Sequence, residues 1–348
     1  MYPKISIIIP YYNVNEFLFD NCIKSVLNQT FKDYELLIVN DGSDSNFHEY
    51  LERISRSDKR IKILNKHNGG VSTARNYGTA EAIGDYITYI DADDTVSNDF
   101  LENAYKIITE SSVDFVIGAM KCITNINTVN TSNDINKSNL SINNYTIYNK
   151  ENFTTLIPSL IASNKMIRFS NGSFINRGPC SRLIKTSIAK KCLFPVGIAL
   201  GEDMIWNQIV LQKCNTLAIS DNIWYFYLKN ETSASHKYSP NSIKLIQDFH
   251  NTLYEKVDIT NDKIYTALCS KFFEDIRTVI CINFLTNKKN KTGFLKKWKT
   301  CNELKNKSPW TNITLRYIKF CNIREKIIYF LFKTGLLFPL AYLKDRLK

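Results

Sequence analysis

Tyr86-Ile87-Thr88-Tyr89-Ile90-Asp91-Ala92-Asp93-Asp94 is a hydrophobic strand that runs straight into three carboxylates. Like charges this close repel and raise one another's pKa, so such a cluster is costly unless a cation neutralises it. All the donors are hard oxygens, with no Cys or His beside them, which suits Mg²⁺ or Mn²⁺, ions that commonly carry a diphosphate. Read alone, Asp-x-Asp-Asp also fits a solvated turn after a strand. The segments on either side decide between the two.

Upstream, residues 5–10 are a continuous apolar run apart from Ser6, as in a strand buried on both faces. Residues 17–27 carry apolar side chains at helical spacing, and 34–39 form a second buried strand that ends at Asn40-Asp41-Gly42-Ser43-Asp44. Residues 61–64 read as a third strand, followed by Asn68-Gly69-Gly70 and a helix over 72–83 that is capped near Ser72 or Thr73 and closed by Gly84. The opening stretch supplies a fourth strand, 86–90. A helix over 100–109 and a fifth strand over 114–119 follow. Strands alternating with helices predict an α/β fold with a mostly parallel sheet covered on both faces. Ligands in such sheets bind beyond the carboxyl ends of the strands, which is where Asn13, Asp41, Asn68 and Asp91 all fall.

Each of these has a chemical use. Asp41 can accept from a uracil imide or a ribose hydroxyl; it also fits a plain Asp-Gly turn. Gly69-Gly70 before a helix lets the backbone approach an anion at the free N–H groups, although paired glycines also make ordinary turns. Arg75, one turn into that helix, has the reach for a phosphate or for an acid of the cluster.

Taken together, these residues resemble the family 2 glycosyltransferases, enzymes of the GT-A fold. The matching segments are Ser6-Ile7-Ile8-Ile9-Pro10-Tyr11-Tyr12-Asn13, Cys22-Ile23-Lys24-Ser25-Val26-Leu27-Asn28-Gln29-Thr30 and Val39-Asn40-Asp41-Gly42-Ser43. They continue with Asn68-Gly69-Gly70-Val71-Ser72-Thr73-Ala74-Arg75-Asn76 and Tyr89-Ile90-Asp91-Ala92-Asp93-Asp94. The resemblance implies a nucleotide-sugar donor, usually a UDP-sugar, and a divalent metal (Mn²⁺ or Mg²⁺) bridging carboxylate and diphosphate. It places Pro10, Tyr12, Asn13, Asp41, Asn68, Gly69, Arg75, Asp91 and Ala92 in the nucleotide-sugar site, with Asp41 at the base, Asp91 near the ribose and Asp93 on the metal. Asn40 departs from the family, which often has a second Asp there.

Glu202-Asp203, after Gly201 and before Trp206 and an apolar helix, is the second candidate centre. Sugar transfer with inversion needs a carboxylate that takes the acceptor hydroxyl's proton, across the pocket from the departing diphosphate. Two acids at a helix N-terminus also suit the macrodipole with no further role. The preceding segment 178–185 and Phe194-Pro195 resemble the acceptor half of the same family, which assigns the base to Asp203 and acceptor orientation to Glu202. Some relatives place a metal-ligating His after the aromatic strand 224–227, and His236 stands there; a lone surface histidine is the ordinary alternative. Tyr225 and Tyr227 read as wall or core residues. Leu228-Lys229 replaces an Arg that relatives often carry toward the diphosphate. Residues 124–150, rich in Asn, Ser and Thr, read as a long loop or hairpin.

The 348 residues carry a formal charge of +12, but the charge is local. Residues 287–348 hold sixteen Lys or Arg against Glu303, Glu325 and Asp345, a net +13, which leaves −1 for the first 286. Residues 241–285 read as two helices. Residues 327–343 are almost wholly apolar, broken by Lys333-Thr334, Gly335 and Pro339. A spanning helix needs about 20 apolar residues, so this stretch suits a segment lying in the membrane interface, its cations meeting anionic lipid heads; a helix docked on the protein is the alternative. No nucleic-acid motif accompanies the basic residues. Nine scattered cysteines without C-x-x-C pairing, and a first strand that follows Met1-Tyr2-Pro3-Lys4 without an export signal, suggest a cytoplasmic protein with reduced thiols.

The expected organisation is a catalytic domain over 1–236, split into a nucleotide-sugar half (about 1–120) and an acceptor half (about 150–236). A helical extension over 237–322 and a basic amphipathic tail over 323–348 complete it. The expected activity moves a sugar from a UDP-sugar to a hydroxyl of a lipid-linked glycan on the inner face of a membrane, in bacterial surface polysaccharide synthesis such as O-antigen or capsule. A nucleotide-sugar-binding subunit without turnover is the non-enzymatic alternative. A nucleotidyltransferase is the other, although Pro10-Tyr11-Tyr12-Asn13 lacks the Gly-rich, basic first loop it would need.

Overall fold

The computed structural model describes residues 2–125, 145–229 and 239–346. They divide into two compact units, one made of Met1–Phe153, Ile167–Val196 and Glu202–Asn230, the other of Thr154–Met166, Gly197–Gly201 and Glu231–Lys348.

Among the described residues, the first unit is built on one nine-stranded sheet. Its elements are β1 (Ile5–Tyr11), α1 (Glu16–Leu27), β2 (Tyr34–Asp41), α2 (His48–Ser57), β3 (Ile61–Lys66), α3 (Val71–Glu81), β4 (Tyr86–Tyr89), β5 (Thr95–Val96), α4 (Phe100–Glu110) and β6 (Phe115–Ile123). β7 (Tyr145–Asn149), β8 (Arg182–Lys185), α5 (Glu202–Lys213) and β9 (Thr216–Leu228) follow, with short helical turns between. The order is β3-β2-β1-β4-β8-β6-β9-β5, with β7 beside β9. β3, β2, β1 and β4 are mutually parallel, as the alternating strand–helix pattern predicts. The next strand in space is not the next in sequence. β8 enters antiparallel between β4 and β6, and β5 and β7 pair antiparallel with β9, so the sheet is mixed beyond β4. β7 also falls inside the stretch read as a loop; residues 126–144 lie outside the described residues.

Local chemistry explains the details. Ser6, the polar residue in the apolar run, donates to buried Glu35 (2.7 Å) and accepts from the N–H of Gly84, tying β1 to β2 and to the turn before β4. α3 starts at Val71 with Gly70 at φ 85°, not at a Ser or Thr cap, because the N–H groups of Gly69 and Gly70 bond the Asp41 carboxylate instead. Gly78 lets α3 lie flat on the sheet: a Cβ there would fall 2.6 Å from Ile8.

The second unit is helical: α6 (Ser242–Lys256), α7 (Asp262–Asp275) running directly into a π-helical stretch (Ile276–Leu285), α8 (Phe294–Asn302), α9 (Ile323–Thr334) and α10 (Leu337–Arg346). α7 therefore continues unbroken through the second half of the predicted helix pair. Asn261 caps α7, Asn322 and Glu325 form a reciprocal capping box on α9, and Gly335 ends α9 in the left-handed conformation. His250 is fully buried on Asp275 (2.9 Å), which also takes Lys271 (2.7 Å). Tyr329, Phe332 and Phe338 of the C-terminal helices are buried in this unit. No single helix among the described residues is long and apolar enough to cross a membrane; α9 and α10 pass that test only as a pair bent by 110°.

Candidate active site

The carboxyl ends of β1, β2, β3 and β4 bring the motif residues to one edge of the first unit. Pro10 lies in β1, with exposed Tyr12 and half-buried Asn13 after it. Asn13, at φ 47°, clasps the neighbouring loop: its amide nitrogen donates to Asp44 (3.0 Å), its carbonyl oxygen accepts from the Asp44 N–H (2.9 Å), and its own N–H donates to Ser43 (3.2 Å). Asn40 similarly uses its side chain to accept from the Ser43 N–H (3.0 Å) and to donate to Asn65. That is the local use of the residue where the family often carries Asp.

Asp41, at the end of β2, is buried and its carboxylate is occupied. It accepts from the Gly69 N–H (3.0 Å) and the Gly70 N–H (2.8 Å) and pairs with Lys66, whose ammonium also donates to Thr73 (2.9 Å). In this structure Asp41 fixes the glycine loop. A cavity of about 740 Å³ flanks that loop, lined among others by Asn40, Gly42, Asn65, Lys66, His67 and Asn68; none of the acids discussed below lines it.

The acid turn after β4 gives its three aspartates different surroundings. Asp94 is 1 % exposed and spends both oxygens, one on the Tyr225 hydroxyl (2.7 Å) and one on the Leu228 N–H (2.8 Å). The Tyr225 hydroxyl also accepts from the Asp91 N–H (3.1 Å), so one phenol shapes the turn from both ends. Asp91 accepts from Arg75 (2.8 Å) and faces the Cys180 thiol (3.4 Å), and Ala92 after it is buried. Asp93 makes no side-chain hydrogen bond to another of the described residues, and burial followed by the charge of Asp91 pushes its pKa up. A cation would relieve that repulsion. The donor chemistry fits Mg²⁺ or Mn²⁺, which Asp93 would hold. Among the described residues no three His, Cys, Asp or Glu converge on one point. His236 lies outside the described residues.

Arg75 joins this turn to the second candidate centre. Its guanidinium is 3 % exposed and forks between Asp91 (2.8 Å) and Asp203 (2.6 Å), with Glu202 at 3.8 Å. The ring of Phe194 lies 5.1 Å from its charge. Burial of this group is compensated by the three acids, so it stays charged. Asp203 lies in the first turn of α5 and keeps about a third of its side chain exposed (31 %), so it faces open space as well as protein. Its pKa is raised, burial outweighing the Arg75 ion pair. Glu202 is pushed up to about 7 by burial and by the charge of Asp203.

A buried scaffold holds the pair. Arg182, in β8, donates to the Asn176 side chain (2.6 Å), to the Asn176 carbonyl (2.9 Å) and to the Cys180 carbonyl (2.6 Å), and burial lowers its pKa to about 10. Asn207 donates to the carbonyls of Arg177 (2.7 Å) and Asp203 (3.0 Å). Asn76, next to Arg75, exchanges two hydrogen bonds with the Phe194 backbone (2.9 and 2.7 Å), pinning α3 to the segment before α5. Motif reading misses Asn176 and Asn207 and takes Tyr225 as wall or core; Cys180 and Arg182 fall in the segment 178–185 that resembles the acceptor half, but without a task of their own. For Asn176 and Asn207 the one sequence signal is polarity within otherwise buried patterns.

A mixed sheet whose parallel strands end in an acid turn, with a carboxylate facing it, is a glycosyltransferase type of site on a GT-A fold. Residues 6–172 match the model of glycosyl transferase family 2, and the chain carries a domain of that family. GlyA, a glycosyltransferase of Streptococcus pneumoniae serotype 4, is 39 % identical over 115 residues, which are 33 % of this chain and 16 % of GlyA. The cholesterol galactosyltransferase of Borreliella burgdorferi is 29 % identical over 271 residues, 78 % of this chain and 72 % of that protein. S. aureus TarS 1-349, solved in complex with UDP-GlcNAc, superposes with a TM-score of 0.66 over 99 % of this chain and 92 % of its own, at 16 % identity, a likeness of fold.

Proposed function

We propose that this protein is an inverting glycosyltransferase that moves a sugar from a UDP-sugar to a hydroxyl of a lipid-linked glycan, in bacterial surface polysaccharide synthesis. The observation that carries the reading is Arg75, which draws the donor-side Asp91 and the acid Asp203 onto one guanidinium although they belong to distant segments. A catalytic pair serving two substrates needs that meeting; unrelated solvated acids do not. TarS binding UDP-GlcNAc supports a UDP-sugar as donor.

The chemistry follows from the residues. Asp203 has one oxygen on Arg75, and its other oxygen takes the proton of the acceptor hydroxyl. The hydroxyl oxygen then bonds to C1 of the sugar from the face opposite the diphosphate. The C1–O bond breaks and its electron pair leaves with the nucleoside diphosphate. A divalent ion on Asp93, when bound, supplies charge neutralisation for that leaving group. Glu202 orients the acceptor, and Asp91 lies toward the ribose. Attack from one face and departure from the other invert the anomeric centre. The basic C-terminal segment supports a peripheral position on the inner face of the cell membrane, where a lipid-linked acceptor is presented.

Thermal unfolding with UDP, other nucleotides and a panel of UDP-sugars, each with Mn²⁺, Mg²⁺ or EDTA, tests the donor. Metal-dependent stabilisation by UDP and one UDP-sugar is expected, because binding to the folded state alone raises the melting point. Asp203→Asn should keep that shift and lose transfer by about 10²–10⁴-fold. A melt unmoved by every nucleotide overturns the donor assignment, and full transfer by Asp203→Asn overturns the base.

A further inference from the structure

We infer that the outer face of α9 is a lipid-docking ridge: a preformed apolar stripe, edged by cations, that seats the helical unit on an anionic bilayer. This rests on the peripheral-membrane reading above and gives it a surface. The segment is not a free anchor, since Tyr329 and Phe332 point inward and are buried in their own unit. The opposite face is the unusual one. Ile323 is 78 % exposed, Ile327 56 % and Phe330 52 %, and their spacing stacks them along one side of the helix with Thr334. Three large apolar side chains left to water on a capped, packed helix cost stability with no return within the fold.

Charge identifies what covers them. At 100° per residue Arg324 borders one edge of the stripe and Lys326 the other. Residues 315–344 carry six Lys or Arg against Glu325 alone, and Glu325 is consumed by its bonds to the Asn322 N–H (2.9 Å), Ser270 (3.0 Å) and Asn164 (3.0 Å). An apolar stripe between cationic edges is what an in-plane interfacial helix presents to acyl chains and anionic headgroups. A second copy of this chain would bring the same cations face to face. Beyond the bend at Gly335, Leu336 and, in α10, Leu340 and Leu343 are also exposed.

The test is co-sedimentation of the full chain with vesicles of phosphatidylglycerol or of phosphatidylcholine. The wild type is expected to bind the first far better. Ile327→Asp with Phe330→Asp should weaken that binding by about a hundredfold, two side chains' worth of lost burial, with nucleotide-induced stabilisation unchanged. Both positions are exposed, so the fold is expected to persist; Arg324→Gln with Lys326→Gln, which leaves the stripe intact, should reduce only the preference for phosphatidylglycerol. A wild-type chain that ignores both vesicles overturns the membrane reading itself. A wild type that binds while the double aspartate variant binds equally well overturns the ridge alone. Loss of a dimer in the aspartate variant, without vesicles, assigns the stripe to self-association instead.

Discussion

Arg75 and Glu202 make opposite predictions because they sit on opposite sides of one electrostatic balance. The Arg75 charge holds Asp203 down while burial pushes it up. Arg75→Met should therefore move the acid limb of the transfer pH profile to higher pH and cost about 1–3 kcal/mol of stability, a figure kept below that of a fully buried pair because Asp91 and Asp203 are each about a third exposed. Arg75→Lys keeps the charge but not the fork, and is expected to rescue stability more than turnover. Glu202→Gln removes the neighbour whose ionisation is coupled to Asp203, so its acid limb should move to lower pH. Stability has its own sign. Folding raises Glu202 from 4.5 to about 7, so the folded chain holds the extra proton in that window and the site destabilises the fold progressively as pH rises through it. Glu202→Gln should then melt higher than wild type at about pH 8 and equally at about pH 4, read by scanning both proteins at both values. Equal melts at the higher pH would show that Glu202 pays nothing for its burial.

At the scale of elements, the C-terminal helices decide a simple experiment. Cutting the chain after Asn322 looks, from hydropathy, like trimming an appended tail. The structure makes it a core deletion: Tyr329, Phe332 and Phe338 leave the helical unit together, and Glu325 leaves its bonds to Ser270 and Asn164. The truncated protein is expected to lose about 5 kcal/mol or more from that unit and to aggregate or unfold early. A truncated chain that melts as the full chain does would contradict this packing. The same contrast explains what sequence could reveal. β1, β2, β4 and α3 were legible because each carries its own period and a turn residue within about ten positions, although α3 starts after Gly70 and ends before Ala82 instead of using the expected cap at Ser72 or Thr73 and stop at Gly84. β8 was not, since its place between β4 and β6 is set by pairing across the sheet, and Arg182-Leu183-Ile184-Lys185 has no local mark of it. At the site, Asp91, Asp93 and Asp203 were legible as motif residues. The sharing of Arg75 between two of them was not, because no spacing rule links residues 75 and 203. Tyr225 looked like core for a sound reason, being fully buried; its hydroxyl is what gives it a task.

Across the whole molecule, charge and chemistry are segregated along the chain. The first 286 residues, which include every acid of the candidate site, carry −1, and the last 62 carry +13. Salt should therefore separate the two activities. Each Lys or Arg near an anionic surface contributes about 1 kcal/mol, screened beyond a Debye length that shrinks from about 10 Å at 0.1 M to about 3 Å at 1 M. Binding to phosphatidylglycerol vesicles is expected to weaken by tenfold or more over roughly that range. Nucleotide binding, measured by the thermal shift with UDP and Mn²⁺, should change far less, because on the proposed function the carboxylates would meet the metal and diphosphate at contact distance, where screening is weak. If salt abolished both together, the basic segment would have to be acting at the donor site, and the separation of catalysis from membrane docking would fall. If it abolished neither, docking would be carried by the apolar stripe with the cations as bystanders, and the preference for anionic lipid would vanish with them.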